Sequence, residues 1–354
     1  MSAATAWTRK RERGSPALML LGARLILLLG WRFGRALLYP VVLYFFLRSG
    51  GSNRVSRAYL ARALGRAPGP ADLWRHVFTF GHTILDRVFL LTGRLDGYDI
   101  RVQGLEHVRR HVEAGRGCVL LGSHLGSFEV LRAVADRGCP VPVKALMYEE
   151  NAARANEVFN TLNPGRPADV IRIGGPGALL GVKEALDRGE LVGILGDRIV
   201  SGEKVVAADF LGGQALLPAG PVVLASVLKA PVVLFFGVHR GPRRYEVRFE
   251  PFAERVVLER GARGADVAAW VRRYAAALEA ACRADPYNWF NFYDFWDAAG
   301  DGTNPTTAAA SRRGPRGAAG RLRVLLARLR GRAGRHRRAD GGPGGRAGEP
   351  GGVR

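Results

Sequence analysis

Between residues 98 and 250 the chain switches repeatedly between two periodicities, and that alternation leaves few folds open. Short apolar runs at 98–102, 117–121, 141–147, 170–173 and 191–195 read as strands, with 118–121 the buried one. Helical stretches near 105–113, 128–137, 152–162 and 178–188 separate them. Strands divided by helices build a sheet with many parallel neighbours. A shorter strand at 205–209, a helix from about 218 to 229, strands at 232–238 and 245–250 and a helix at 266–284 complete the pattern. The expected fold class is α/β, with a mixed, mostly parallel central sheet flanked by helices in one domain over residues 51–300.

One joint in this pattern carries the chemistry. Gly122-Ser123-His124-Leu125-Gly126-Ser127-Phe128-Glu129 follows the strand that ends in Cys118-Val119-Leu120-Leu121 and enters a helix. Open α/β sheets bind ligands beyond the carboxyl ends of their strands. Glu129, five residues after His124, is placed to reach back to the imidazole. A carboxylate there fixes the tautomer of a base that works near neutral pH. The alternative is a histidine that merely caps or packs at the joint. Asp197-Arg198 follows the strand 191–195 and should reach the same sheet edge, where Arg198 can pair with a phosphate or carboxylate or shape the loop through a salt bridge.

Several other chemistries lack their residues. Gly175-Pro176-Gly177-Ala178-Leu179-Leu180-Gly181 opens a helix, but its third glycine is one residue late for a dinucleotide-binding turn. Gly174 and Gly175 can still face an acidic substrate group at a helix start. No G-x-S-x-G elbow is present, and neither Ser123 nor Ser127 has the setting of an activated nucleophile. Pro218-Ala219-Gly220-Pro221 reads as a turn on the site wall. Three scattered cysteines give neither a disulfide framework nor a zinc site. Neither metal nor cofactor is expected.

Charge is concentrated at the ends. The formal net charge is +22, of which residues 1–48 carry +7 and residues 301–354 carry +10, leaving +5 for the 252 residues between. A nucleic-acid binder would spread its charge over the folded body, whereas basic flanks suit an anionic membrane surface. A membrane-tethered nucleic-acid binder using the arginine-rich tail is the alternative reading, and a lipid-binding scaffold without chemistry is a third. Residues 17–47 are strongly apolar but interrupted by Arg24, Arg32 and Arg35, so a helix in the membrane interface fits better than a span. Pro40 is expected to kink or break it. Residues 1–50 thus form a basic arm and membrane-associated helix. Helices are expected at 54–64, capped by Ser52-Asn53, and at 73–91 after Pro70-Ala71-Asp72, with His76 and His82 as core or surface residues rather than ligands. Residues 287–296 hold seven aromatics, which pack over an edge of the core or wall a lipid groove. Residues 301–354, rich in Arg and Gly, are expected to be mostly disordered, apart from a basic amphipathic segment at 321–330.

His124-x4-Glu129 resembles the H-x4-D/E signature of glycerolipid acyltransferases. The ordered blocks Gly174-Gly175, Gly196-Asp197-Arg198, Phe210-Leu211-Gly212, Pro218 with Gly220-Pro221 and Ala230-Pro231-Val232 resemble the bacterial lipid A late acyltransferases, the lauroyl and myristoyl transferases, over about residues 17–300. Pro218-Ala219-Gly220-Pro221 stands where many glycerolipid enzymes have Pro-Glu-Gly-Thr, as in the lipid A branch. The resemblance implies transfer of an acyl group from a thioester, acyl carrier protein or acyl-CoA, to a hydroxyl or amine of a lipid or glycolipid. It implies a place on the cytoplasmic face of the bacterial inner membrane, with the carrier protein, the lipid acceptor and the anionic surface as partners and no nucleic acid. His124 and Glu129 would be catalytic, with Ser127, Gly174, Gly175, Asp197, Arg198, Pro218 and Gly220 around the substrate. Backbone amides after His124 could hold the oxyanion.

Overall fold

The computed structural model describes residues 16–137, 142–148, 170–173, 177–200 and 203–296. The chain divides after Asp301, and all described residues belong to the first unit. Gly174, Gly175, Cys139, the helix expected at 152–162 and the whole of 301–354 lie outside the described residues.

Four helices come first: α1 (Pro16–Leu29), α2 (Trp31–Arg48), α3 (Gly50–Leu64) and α4 (Pro70–Leu91). The break in the apolar stretch falls at Gly30, which takes a left-handed φ of 87°, and not at Pro40, which stays inside α2. Glycine tolerates that φ where L-residues resist it. The cap expected at Ser52-Asn53 is likewise displaced: α3 starts at Gly50, and the Asn53 amide donates to the Phe46 carbonyl. Asp72 accepts from the Gly69 N–H at 2.8 Å to open α4. Gly34 lets α2 approach α4 closely, since a Cβ there would meet Leu85 at 2.5 Å.

The remaining elements are β1 (Asp99–Gln103), α5 (Leu105–Glu113), β2 (Val119–Gly122), α6 (Val130–Arg137), β3 (Val143–Tyr148), β4 (Val170–Ile173), α7 (Ala178–Asp187) and β5 (Leu191–Leu195). After them come β6 (Val205–Phe210), β7 (Gly213–Pro218), α8 (Gly220–Leu228), β8 (Val232–Gly241), β9 (Arg244–Ala253) and α9 (Arg263–Ala284). Seven strands form one sheet in the order β1-β9-β8-β2-β5-β3-β4, and β6 with β7 forms a separate antiparallel pair. Strands β8, β2, β5, β3 and β4 are parallel; β9 turns back antiparallel to β8 and carries β1 beside it in its own direction. The mixed, mostly parallel α/β sheet is therefore as expected, although β7 occupies residues whose end was assigned to a helix.

The fully buried residues of β2 separate two apolar cores, as the pleat requires. Val119 and Leu121 join a core with α9, the β6–β7 pair and Trp289, while Cys118 and Leu120 join one with α4, α6 and Phe235. Both cores meet at β2, and the turn leaving its carboxyl end is held from both sides.

Candidate active site

Register places the two principal groups. β2 and β5 are parallel neighbours with Gly122 opposite Leu195. Two residues further on in each strand stand His124 and Asp197. The His124 backbone N–H donates to Asp197 Oδ2 at 3.0 Å, and its ring Nδ1 lies 2.8 Å from Oδ1. An ionised carboxylate only accepts, so Nδ1 carries the hydrogen and Nε2 keeps its lone pair.

The turn that presents His124 depends on a close backbone approach. Gly126 has φ 81°, and a Cβ there would lie 1.9 Å from the Gly237 carbonyl oxygen. No other residue type fits. The Ser127 N–H donates to Gly237 O, the Gly126 N–H to Asn288 O and the Phe290 N–H to His124 O, each at 2.8 Å. The turn is thus stitched to β8 on one side and to the aromatic segment on the other.

Asp197 is fully buried and accepts from four donors: the His124 amide and ring, Trp289 Nε1 at 2.9 Å and Asn291 Nδ2 at 3.1 Å. Burial alone would raise its pKa, but His124 and Arg198 outweigh burial and hold it at about 2. Arg198 donates to Asn291 Oδ1 and to the Phe290 carbonyl, both at 3.0 Å, so Asn291 links guanidinium to carboxylate. His124 itself is lowered below its ordinary value, first by burial and then by the Arg198 charge, against the opposing pull of Asp197. Its side chain keeps 26% of its surface exposed, and among the described residues Nδ1 alone of its ring nitrogens is hydrogen-bonded. The imidazole is neutral at pH 7 and oriented.

Glu129 does not make the contact expected of it. It sits in the turn before α6, where Arg87 of α4 pairs with Oε1 at 2.7 Å and the Ser127 hydroxyl donates to Oε2 at 3.0 Å. The physical reason is direction: Nδ1 of His124 faces the end of β5, whereas the Gly126 turn carries Glu129 toward α4. Ser127 is consequently spent on Glu129. The oxyanion role expected of the amides is also narrowed, because the N–H groups of His124, Gly126 and Ser127 are already committed. Pro218 ends β7 and Gly220 opens α8; among the described residues neither is hydrogen-bonded to the His124–Asp197 pair. No group of three or more potential metal ligands comes together among the described residues.

Trp289, Asn291 and Arg87 escaped sequence reasoning. The aromatic segment 287–296 held the signal, since two asparagines within so apolar a run must find buried partners. Trp289 packs among Tyr59, Phe210 and Phe295, with ring centroids 4.9–5.3 Å apart, while its N–H reaches the carboxylate. The segment covers an edge of the core and also completes the site.

A neutral histidine with a buried carboxylate behind it and one nitrogen open, at the carboxyl edge of an α/β sheet, is the equipment of general-base catalysis. The family model described as bacterial lipid A biosynthesis acyltransferase matches residues 80–297, and the chain belongs to that family. It is accordingly an acyltransferase of the kind that acts on lipid. No curated protein matches the chain.

Proposed function

We propose that the protein moves a fatty acyl group from an acyl thioester to a hydroxyl or amine of a lipid or glycolipid, with His124 as general base and Asp197 as its positioning partner. The observation that carries the mechanism is the 2.8 Å contact of Nδ1 with Asp197 Oδ1, which leaves Nε2 for the acceptor's proton. Nε2 takes that proton as the acceptor oxygen or nitrogen attacks the thioester carbonyl. A tetrahedral oxyanion forms, the C–S bond breaks, and the departing thiolate recovers the proton from the imidazolium. Arg198 and Arg87, whose charges both act on His124, supply positive potential where the oxyanion develops. Glu129 holds Arg87 and Ser127 in place beside the turn.

The membrane is the acceptor's medium. Leu28 is 80% exposed, and Leu25, Leu29, Phe33, Leu37, Tyr44 and Leu47 are exposed with it on α1 and α2. Apolar surface of this extent marks a membrane or partner contact. At 1.5 Å per residue α1 and α2 are about 21 and 27 Å long, and no helix among the described residues is long and apolar enough to cross a membrane. The two helices lie in the interface of the cytoplasmic leaflet of the inner membrane. Acyl carrier protein, an acidic donor, suits the basic flanks.

The test is acyl transfer by purified protein in lipid vesicles, followed by mass spectrometry with acyl carrier protein and acyl-CoA donors. Product that depends on His124 supports the reading; a fully active His124→Ala enzyme ends it.

A further inference from the structure

We propose that a groove between α2 and the β8–β9 turn binds the phosphate of an anionic membrane lipid through the guanidinium groups of Arg35 and Arg243, with Arg32 beside them. The groove has a volume of about 580 Å³, with Trp31, Arg32, Arg35, Tyr39, Pro242 and Arg243 on its walls. It shares no lining residue with the His124 centre and forms a second site.

Its floor is rigid. Trp31 Nε1 and the Tyr98 hydroxyl each donate to Asp86 Oδ1 at 2.7 Å, and the Tyr245 hydroxyl donates to Oδ2 at 2.9 Å. These bonds fix the indole. Arg243 lies over that indole with Cζ 4.8 Å from the ring centroid, and Arg35 lies over the same ring at 5.7 Å. Arg243 is also pressed against Gly97, where a Cβ would lie 2.8 Å from its Nη1. Two like charges therefore share one aromatic ring, with a third arginine on the wall. Among the described residues none of the three forms an ion pair with a carboxylate, and the Nε atoms of Arg35 and Arg243 are buried without a hydrogen-bond partner. Such a cluster is stabilised by an anion, and planar guanidinium forks match phosphate oxygens bidentately.

The source of the phosphate follows from the helix that carries the groove. Phe33, Leu37, Val41 and Leu43 of α2 are exposed, so the groove opens beside an apolar surface. A headgroup seated there leaves its acyl chains alongside that surface. This inference rests on the membrane reading above.

Co-sedimentation with vesicles of phosphatidylcholine alone, or mixed with phosphatidylglycerol, tests it. The variant Arg35→Lys/Arg243→Lys keeps the charge and removes the forks. It is expected to bind the mixed vesicles about tenfold more weakly than the parent protein, with phosphatidylcholine binding unchanged and Arg24→Lys behaving as the parent. Arg35→Lys alone serves should Arg243 be needed for folding. Equal binding by parent and variant overturns the pocket and leaves the membrane reading standing. A parent protein that binds neither vesicle overturns the membrane reading and the pocket with it. Tight, Arg35-dependent binding of inorganic phosphate with no preference for phosphatidylglycerol assigns a soluble phosphate instead and overturns the lipid source.

Discussion

His124 and the buried pair His82 and His239 sit in two regions of this protein, and the difference between them separates chemistry from packing. At the end of β2, His124 has an ionised carboxylate on Nδ1, an exposed edge and a turn bonded from both sides. In the interior, His82 stacks on Trp31 and on His239, with centroids 6.3 and 5.4 Å apart. The Nε2 atoms of His82 and His239 are buried without partners. Burial first, then neighbouring positive charge or the other histidine, lowers His82 to about 4 and His239 to about 3. A neutral imidazole becomes a base only where a partner stabilises its charged form and a substrate can arrive. At His82 and His239 the same ring is a flat packing group.

His124→Ala should lower acyl transfer by ~10²–10⁴-fold with an unchanged circular-dichroism spectrum, whereas His82→Gln should leave the specific rate of folded protein near that of the parent. Asp197→Asn should lower kcat by ~10²-fold or more, since the amide no longer fixes the tautomer or balances the imidazolium. If Glu129→Gln proved the more damaging of the two carboxylate changes, the assignment of roles would be reversed.

Acid separates the two regions next. His82 and His239 are depressed in the folded state, so the unfolded chain binds their protons more readily as pH falls. Their neutral forms cost nothing above pH ~6.5, and stability is lost between there and about 4 for His82 and about 3 for His239. Melting temperature should drop across that window, and His82→Gln/His239→Gln should flatten the slope. For catalysis, kcat/KM should be level above pH ~6.5 and fall only below it, because His124 too is lowered. An acid limb centred above pH 7 would contradict the burial of the imidazole. The smallest effect belongs to Glu129→Gln. Its partner Arg87 is about half exposed, so loss of the pair should cost at most ~1 kcal/mol, read in thermal melts, and a rate change within about fivefold.

Much of this was legible in the residues, and the limits of legibility have physical causes. Strands β4 and β5 and helix α5 matched their expected bounds, because short apolar runs bordered by charged helices have few other destinations. The break in the N-terminal apolar stretch was assigned to Pro40 but fell at Gly30. Proline costs a helix one hydrogen bond and some bending, whereas Gly30 adopts a φ that ends it. The pairing of Glu129 with His124 rested on their spacing and on the H-x4-D/E resemblance. Spacing gives reach along the chain and says nothing of the Arg87 guanidinium waiting on α4.

The α/β alternation, the histidine at a strand's carboxyl end, the glycines that bend the turn and the arrival of Asp197 at the same edge were all readable from the residues. These follow from local periodicity and backbone freedom, which neighbours along the chain decide. Which carboxylate meets the imidazole was settled only by tertiary structure. That choice needed β5 to lie beside β2 in register, Trp289 and Asn291 to close over the carboxylate from nearly a hundred residues away, and α4 to draw Glu129 aside. Strand order and side-chain direction arise from packing the whole sheet, and no window of sequence contains them.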